Sequence, residues 1–207
     1  MKSPFGPAYR IETPSLVLRC WDPADAPALA ALIERNREHL GERWPWARGE
    51  PKPLDEQVRE LRLWRAEFDV DHAWRYAVLA VDGRELVGAL SIVPRDLGAT
   101  GETSGWIGRE HAGRGHHVRA AAALARAVFE VHGLAKVQTA CPDEEAARAA
   151  VTGTLGFRHD GMIRQLAEGR RTQQLLCTLL ADEWAASPAA ALAAGARAYD
   201  GMGGRLF

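Results

Sequence analysis

The stretch Ala112-Gly-Arg-Gly-His-His117 decides how the middle of the sequence is interpreted. It lies between a predicted strand over residues 104–108 and a predicted alanine-rich helix over residues 118–131. Backbone N–H groups in the first turn of a helix lack intrahelical partners, and the helix dipole is positive there, so this position attracts an anionic phosphate. Glycine lets the backbone approach the anion closely. A tight strand-to-helix connection without a ligand has the same spacing, so the surrounding elements must decide.

The elements on both sides of the turn alternate between strand and helix. Apolar patterning predicts strands at residues 16–19, 74–81, 85–93, 104–108, 135–140, 157–162 and 172–180. Helical spacing and capping residues predict helices ending near residue 38 and over residues 54–68, 118–131 and 143–154. Asp82-Gly83 indicates a hairpin between the second and third of these strands. The order predicts a mixed α/β sheet flanked by helices and excludes a helical bundle.

The sequence predicts one domain over residues 1–184 and a C-terminal tail over residues 185–207. The last segment, rich in alanine and glycine, predicts a helix or a flexible tail. The tail could cover a partner chain, so a homodimer is one alternative and a mobile end is the other.

Composition excludes several classes of function. Twenty-six Lys and Arg against 27 Asp and Glu give a net charge of -1, so no global basic field holds a nucleic acid. Cys20, Cys141 and Cys177 are isolated and odd in number, which argues against disulfides and a zinc site. The N-terminus lacks the apolar run of a secretory signal, and no stretch reaches about 18 apolar residues. We therefore expect a cytoplasmic protein without membrane attachment.

Several segments, taken in order, carry a resemblance to a known family. They are Glu12-Thr-Pro-Ser-Leu-Val-Leu-Arg19, Pro45-Trp-Ala47, Gly113-Arg-Gly115, Val128-Phe-Glu-Val-His-Gly-Leu134 and Leu155-Gly-Phe157. Over about residues 12–184 the chain resembles the GCN5-related N-acetyltransferase (GNAT) superfamily, and within it the RimJ/RimL-like branch that acetylates ribosomal protein N-termini. The resemblance implies a mostly antiparallel sheet whose fourth and fifth strands splay apart.

The same resemblance implies where acyl-coenzyme A binds. The turn, with the residues Ala112, Gly113, Arg114, Gly115, His116 and His117, would hold the diphosphate. The free backbone of the splayed strand, near Trp106, Ile107 and Gly108, would hold the pantetheine arm and the acyl carbonyl. Glu145 and Arg148 occupy the positions where the family often has an asparagine and a serine that contact the pantetheine arm and the thiol.

Departures from the family pattern leave alternatives open. Ala112 stands where the family usually has Gln or Arg, and His117 stands where a small residue admits the diphosphate. His117 could narrow the cradle, or a protonated His116 or His117 could add charge-assisted hydrogen bonds. Without the serine, another group or water must protonate the departing thiolate.

Candidate catalytic and acceptor-binding residues follow. Glu168 resembles in position a glutamate assigned as the base in this branch, and Glu102 precedes the fourth strand; each could equally be a solvated glutamate. Trp44 and Trp46 line an acceptor pocket or fill the core.

His111, His116 and His117 lack a carboxylate or cysteine at ligand spacing, so we expect no metal. Cys141 faces the acyl groove or is a buried, inert thiol.

Two hypotheses about function follow. The first is an acyl-CoA-dependent N-acyltransferase in which an amine attacks the thioester directly. Acetyl is the default acyl group, and succinyl held by Arg148 is the alternative. The acceptor is a peptide or protein N-terminus or a small molecule. The second hypothesis is a catalytically weakened protein of this fold that binds acyl-CoA and regulates.

Overall fold

The computed structural model describes residues 6–142, 152–167 and 170–207. Within these ranges nine strands form one sheet in the order β7-β8-β6-β5-β4-β3-β2-β1-β9. The strands are β1 (Arg10–Glu12), β2 (Leu16–Cys20), β3 (Trp74–Ala80), β4 (Leu86–Arg95), β5 (Thr100–Ile107), β6 (Lys136–Pro142), β7 (Arg158–Ala167), β8 (Arg170–Leu180) and β9 (Arg197–Tyr199). Neighbours are antiparallel except β5 and β6, which run parallel.

Helices cover both faces of the sheet. Those whose bounds are described are α1 (Ala26–Arg35), α2 (Arg37–Arg43), α3 (Leu54–Asp69), α4 (His116–Glu130) and α5 (Pro188–Leu192), and residues 152–155 are also helical. The buried side chains of α4 and α5 belong to one hydrophobic core, and those of α1 and α2 belong to the other. No helix among the described residues has the length and apolar character needed to cross a membrane.

Alternate residues of the central strands divide between these two cores. In β3, Tyr76 and Val78 pack with the alanines of α4, whereas Ala77 and Leu79 pack with α1. Successive side chains of a strand point to opposite faces, so a sheet covered on both sides buries both sets. The mixed α/β fold expected from the sequence is confirmed.

The parallel pairing of β5 and β6 is short. It covers three pairs and ends at Glu102 and Gln138. Beyond that point β5 continues to Ile107 with β4 as its partner, and β6 continues to Pro142 with β8 as its partner. The two strands therefore separate, as the family resemblance predicts.

Both ends of the chain add strands that the sequence patterns did not predict. β1 precedes the expected first strand, which is β2. At the edge of the sheet, β9 pairs with β1. Residues 182–198, expected to form a helix or tail, contain turns and the five-residue α5. The small side chains Ala196 and Ala198 are buried, so this alanine-rich composition reflects close packing. Residues 41–53, between two predicted helices, begin with the end of α2 and a 3-10 turn over Pro45–Gly49.

Candidate active site

The glycine turn has the backbone conformation that an anion cradle needs. Gly113 and Gly115 have φ values of 75° and 72°, in the left-handed region that favours glycine. Gly115 is the N-cap of α4, and no side chain caps this helix end. The Arg119 amide donates to the Gly115 carbonyl (3.1 Å), so the amides of residues 116–118 precede the helical ladder. Backbone donors at a positive helix end are thus placed beside the exposed residues 112–115.

The residue Asn36, buried after α1, fixes the segment between β5 and this turn. Its side-chain oxygen accepts a hydrogen bond from the Arg109 amide (2.7 Å). Its Nδ2 donates to Glu110 Oε2 (3.1 Å) and to the Leu32 carbonyl (3.0 Å). Burial opposes the charge on Glu110, but hydrogen bonds from its own backbone, Asn36 and Arg35 lower the pKa of its carboxyl. The turn is therefore anchored to α1 by a buried amide.

The surroundings of His116, at the first position of α4, favour the neutral form of its imidazole in the free protein. Burial lowers its pKa, and the positive charges of His111, Arg114 and Arg119 lower it further. Its Nδ1 is buried, and no atom in the described part of the chain forms a hydrogen bond with it. The charge-assisted role predicted for His116 therefore requires an incoming anion that reverses this effect.

The separation of β5 and β6 opens a cavity of about 200 Å³, which we name the strand cleft. Its walls include Thr103 and Gly105 of β5, Thr139 and Cys141 of β6, and His117 of α4. Farther along α4, Ala121 and Ala125 line the same cleft, and their small side chains leave it room. His117 stands at the wall of this cleft, next to the glycine turn, and the cleft remains open beside it.

The backbone groups of β5 alternate between the partner strand and the strand cleft. The Gly108 amide donates to the Val87 carbonyl of β4 (2.9 Å), so the prediction of a free amide at Gly108 is wrong. In an antiparallel ladder every second residue pairs with the same neighbour, so Trp106 also faces β4. The amides of Ile107, Gly105 and Thr103 then point to the side where β6 has diverged. Of the three predicted residues, Ile107 alone keeps its free amide.

A second and larger cavity, which we name the tryptophan cavity, lies on the face of the sheet that α1 and α3 cover. Its volume is about 460 Å³. Five indoles line it, and they belong to Trp21, Trp44, Trp46, Trp64 and Trp106. Trp46 is 46% exposed at the rim, whereas Trp21 and Trp106 are buried. The predicted acceptor residues Trp44 and Trp46 are thus brought together in one pocket.

The two cavities share a wall. Trp44, Leu90, Ser104 and Gly105 line both of them. The hydroxyls of Ser104 and Ser91, on β5 and β4, are 3.0 Å apart at this wall. A group that enters from the strand cleft and one that enters from the tryptophan cavity therefore meet at β5.

Glu102 lies two residues before Ser104 and so projects from the same face of β5. Its Oε2 accepts a hydrogen bond from Arg95 Nε (2.9 Å), and its side chain is 40% exposed. It does not line either cavity. The other candidate base, Glu168, and the predicted pantetheine contacts Glu145 and Arg148 lie outside the described residues.

A family profile described as the acetyltransferase (GNAT) domain matches residues 15–158, which span the glycine turn and the divergent strands. The chain belongs to the GNAT acetyltransferase family. Its class of reaction is therefore acyl-CoA-dependent N-acetylation, and the binding-protein alternative is not favoured.

Known GNAT proteins resemble the chain over most of its length. The YdaF protein of Bacillus subtilis, provisionally named a ribosomal N-acetyltransferase, is 29% identical over 174 residues, 82% of this chain and 93% of that protein. RimJ of Mycobacterium smegmatis, solved with a CoA-disulfide, superposes with a TM-score of 0.75 at 22% identity over 90% of this chain and 94% of that one. RimL, the ribosomal L7/L12 alpha-N-protein acetyltransferase, superposes with a TM-score of 0.74 at 18% identity, over 81% of this chain and 95% of that one. These two structures show a shared fold.

The residues of this GNAT domain fit coenzyme A. An added Cβ at Gly113 would meet nothing within 4 Å, so the turn is open on its outer side. The Arg119 guanidinium folds back to the Arg114 carbonyl (2.9 Å) and keeps a positive charge next to the turn. The strand cleft begins at His117 and leads to the free amides of β5. Diphosphate, pantetheine arm and thioester each have a matching surface.

Several residues at this GNAT site carried no usable signal in the sequence. Gly105 and Thr103 could be assigned once the strand register was known, since alternation decides which amides are free. Asn36 and Gln57 are polar residues within helical patterns, and local patterns do not show that both side chains are buried or that Asn36 bonds to Arg109 and Glu110. His111 is buried with Glu85 Oε1 3.4 Å from its Nε2, and the described residues hold no cluster of three metal-ligating groups. Cys141 is buried and lines the strand cleft, which agrees with both of its predicted alternatives.

Proposed function

We propose that the chain transfers an acetyl group from acetyl-CoA to a primary amine that enters through the tryptophan cavity, and that the amine is the N-terminus of a peptide or protein. The names of two relatives support this acceptor class, because YdaF carries the name of a ribosomal N-acetyltransferase and RimL that of a ribosomal L7/L12 alpha-N-protein acetyltransferase. A small-molecule amine of similar shape is the second candidate, because the cavity of about 460 Å³ has the size of a small-molecule site.

Direct transfer needs a held carbonyl, a neutral amine and stabilisation of the charge that develops on the carbonyl oxygen. Acetyl-CoA supplies the activated thioester when it is bound, and coenzyme A leaves as the free thiol. The free amides of Gly105 and Ile107 would donate hydrogen bonds to the pantetheine arm and the acyl oxygen. These backbone groups are fixed by the β4–β5 ladder, so their donors are oriented before the substrate arrives.

The ammonium form of an amine must lose a proton before it can attack. The hydroxyls of Ser104 and Ser91 stand at the shared wall and could pass this proton through water toward Glu102. Two residues of a strand span about 7 Å, so Glu102 lies about that far from Ser104 along β5. Glu102 would therefore receive the proton through this relay and not directly from the amine. Glu168 is the alternative proton acceptor.

The observation that carries the proposal is the shared wall at Ser104 and Gly105. It brings an amine from one face of the sheet to a thioester held between two strands. The experiment is to incubate the protein with acetyl-CoA and a panel of N-terminal peptides and amines while free thiol is followed. Thiol release with an acceptor, and formation of the acetylated product by mass, are expected. Absence of both with every pair would overturn the proposal.

A further inference from the structure

The tryptophan cavity has a polar floor that the transfer reaction itself does not require. Four residues form it, Glu50, Lys52, Gln57 and Glu60, and all four line the cavity. The Glu50 side chain is 5% exposed and Gln57 is 1% exposed, although most of the remaining lining is indole and aliphatic. Polar groups at this depth cost free energy unless they are paired, so their presence needs an explanation.

The carboxylates of this polar floor are held around one ammonium group. Lys52 Nζ lies 3.1 Å from Glu50 Oε1 and 2.8 Å from Glu60 Oε1. Burial opposes the charge of Lys52, but hydrogen bonds to Glu60 and Glu50 raise its pKa above the ordinary value. Two carboxylates around one ammonium leave the polar floor with one net negative charge. The other cation of the described lining, Arg75, is paired with Glu67 and lies over the Trp64 ring.

Gln57 supplies an acceptor without a partner. Its Nε2 donates to Glu60 Oε2 (3.3 Å), and because a carboxylate only accepts, this bond fixes the orientation of the amide. Its Oε1 is buried and has no hydrogen-bond partner among the described residues. An unpartnered buried carbonyl is destabilising, and a ligand that donates a hydrogen bond to it removes that cost. The polar floor therefore contains one buried, unpartnered acceptor and one excess negative charge, in a cavity whose indole faces attract cations.

We propose that the polar floor selects amine acceptors that carry a second, non-reacting cationic group with N–H donors, which binds at Gln57 Oε1 while the first amine reacts at the shared wall. The chemistry fits a guanidinium or ammonium group, on the first side chain of a peptide or at the far end of a small diamine. The inference rests on the proposed function for the identity of the reacting group. Its binding test is independent of catalysis.

The experiment compares acceptors of nearly equal shape, one with a guanidinium group and the other with a neutral urea group. Arg-Ala-Ala amide is paired with citrulline-Ala-Ala amide, and agmatine is paired with its neutral urea analogue. Binding is followed by tryptophan fluorescence, since five indoles line the cavity, and transfer is followed by thiol release. We expect the cationic member of at least one pair to bind about ten- to a hundredfold more tightly, the range of a hydrogen bond to a charged group. The pair that discriminates identifies the source as peptide or small amine.

Matched variants locate the effect in the polar floor. Gln57→Leu keeps the side-chain size and removes the acceptor, and Glu60→Gln removes one charge. Each should reduce the preference for the cationic member about tenfold, whereas Glu56→Gln, on the exposed side of the same helix, should not change it. Thermal unfolding shows whether each variant is folded. Equal binding of charged and neutral members by the wild type, or an unchanged preference in Gln57→Leu, would overturn the inference, even if transfer is observed.

Discussion

The side-chain oxygen of Asn36 accepts a 2.7 Å hydrogen bond from the backbone amide of Arg109, 73 residues later in the chain. This bond joins the end of α1 to the segment that leads into the glycine turn. Replacement by alanine leaves a buried backbone donor and the Glu110 carboxylate without this partner. We expect Asn36→Ala to lower the free energy of unfolding by about 1–3 kcal/mol, which corresponds to a fall in Tm of about 3–10 °C.

The control for this change is Arg35→Ala. Arg35 pairs with the same carboxylate at 3.5 Å, but its side chain is 58% exposed. Exposed ion pairs contribute less than about 1 kcal/mol, so its Tm should be close to that of the wild type. Similar values for both variants in calorimetry would contradict the anchoring role of Asn36.

The open side of Gly113 allows a test of the diphosphate cradle. In Gly113→Ala the methyl group meets no atom of the free protein, and the positive φ costs about 1 kcal/mol of stability. A bound diphosphate would meet that methyl group. We therefore expect CoA affinity, measured by calorimetry, to fall at least about tenfold. This loss of binding is separate from the small fall in Tm that the backbone strain causes.

Gly133 offers a matched control at the other end of α4. Its φ is +66° and an added Cβ also meets nothing within 4 Å. Gly133→Ala should therefore lose comparable stability and keep its CoA affinity. If both variants bind CoA equally well, the glycine turn does not hold the diphosphate.

The lowered pKa of His116 predicts a proton-linked step in binding. A histidine whose folded pKa is depressed costs stability as pH falls below its unfolded pKa, because the unfolded chain binds the proton more readily. A diphosphate next to the ring reverses the preference and raises its pKa. CoA binding should then take up protons just below neutral pH, and affinity should increase as pH falls.

Calorimetry in buffers of different ionisation enthalpy measures this uptake. His116→Gln should reduce it, and the exposed His72→Gln should not. Protonation of the CoA phosphates is common to all three proteins, so the difference between them reports on the side chain. Equal proton uptake by the wild type and by His116→Gln would show that His116 is not the group whose protonation is linked to CoA binding.

The relay proposal predicts the effect of changing Glu102. Glu102→Gln keeps the shape of the side chain and removes its basicity. If Glu102 receives the amine proton, kcat/KM should fall about a hundredfold, the lower end for general base catalysis, and the acid limb of the pH–rate profile should change. An unaltered rate and profile would transfer the role to Glu168 or to solvent.

The sequence patterns predicted the central part of the fold well and its ends poorly. The strands from β3 to β6 and the helix α4 have strong apolar periodicity and clear glycine boundaries, so their order followed directly. β1 and β9 are three residues each and depend on long-range pairing, which local patterns do not encode. The glycine turn and Trp44 were found at the site because their residue types are distinctive. Asn36 and Gln57 were not, since the role of Asn36 comes from its bonds to distant residues and that of Gln57 from its burial at the wall of a cavity.

The common boundary at Ser104 and Gly105 also predicts the kinetic scheme of the proposed reaction. In that reaction the acyl group and the amine would reach the same point of β5 from opposite faces of the sheet, so neither would have to leave before the other could enter. Both substrates would therefore be present on the protein together, and no acylated form of the protein would accumulate. Double-reciprocal plots at several fixed amine concentrations should converge to a common point, whereas a set of parallel lines would indicate that the protein itself carries the acyl group.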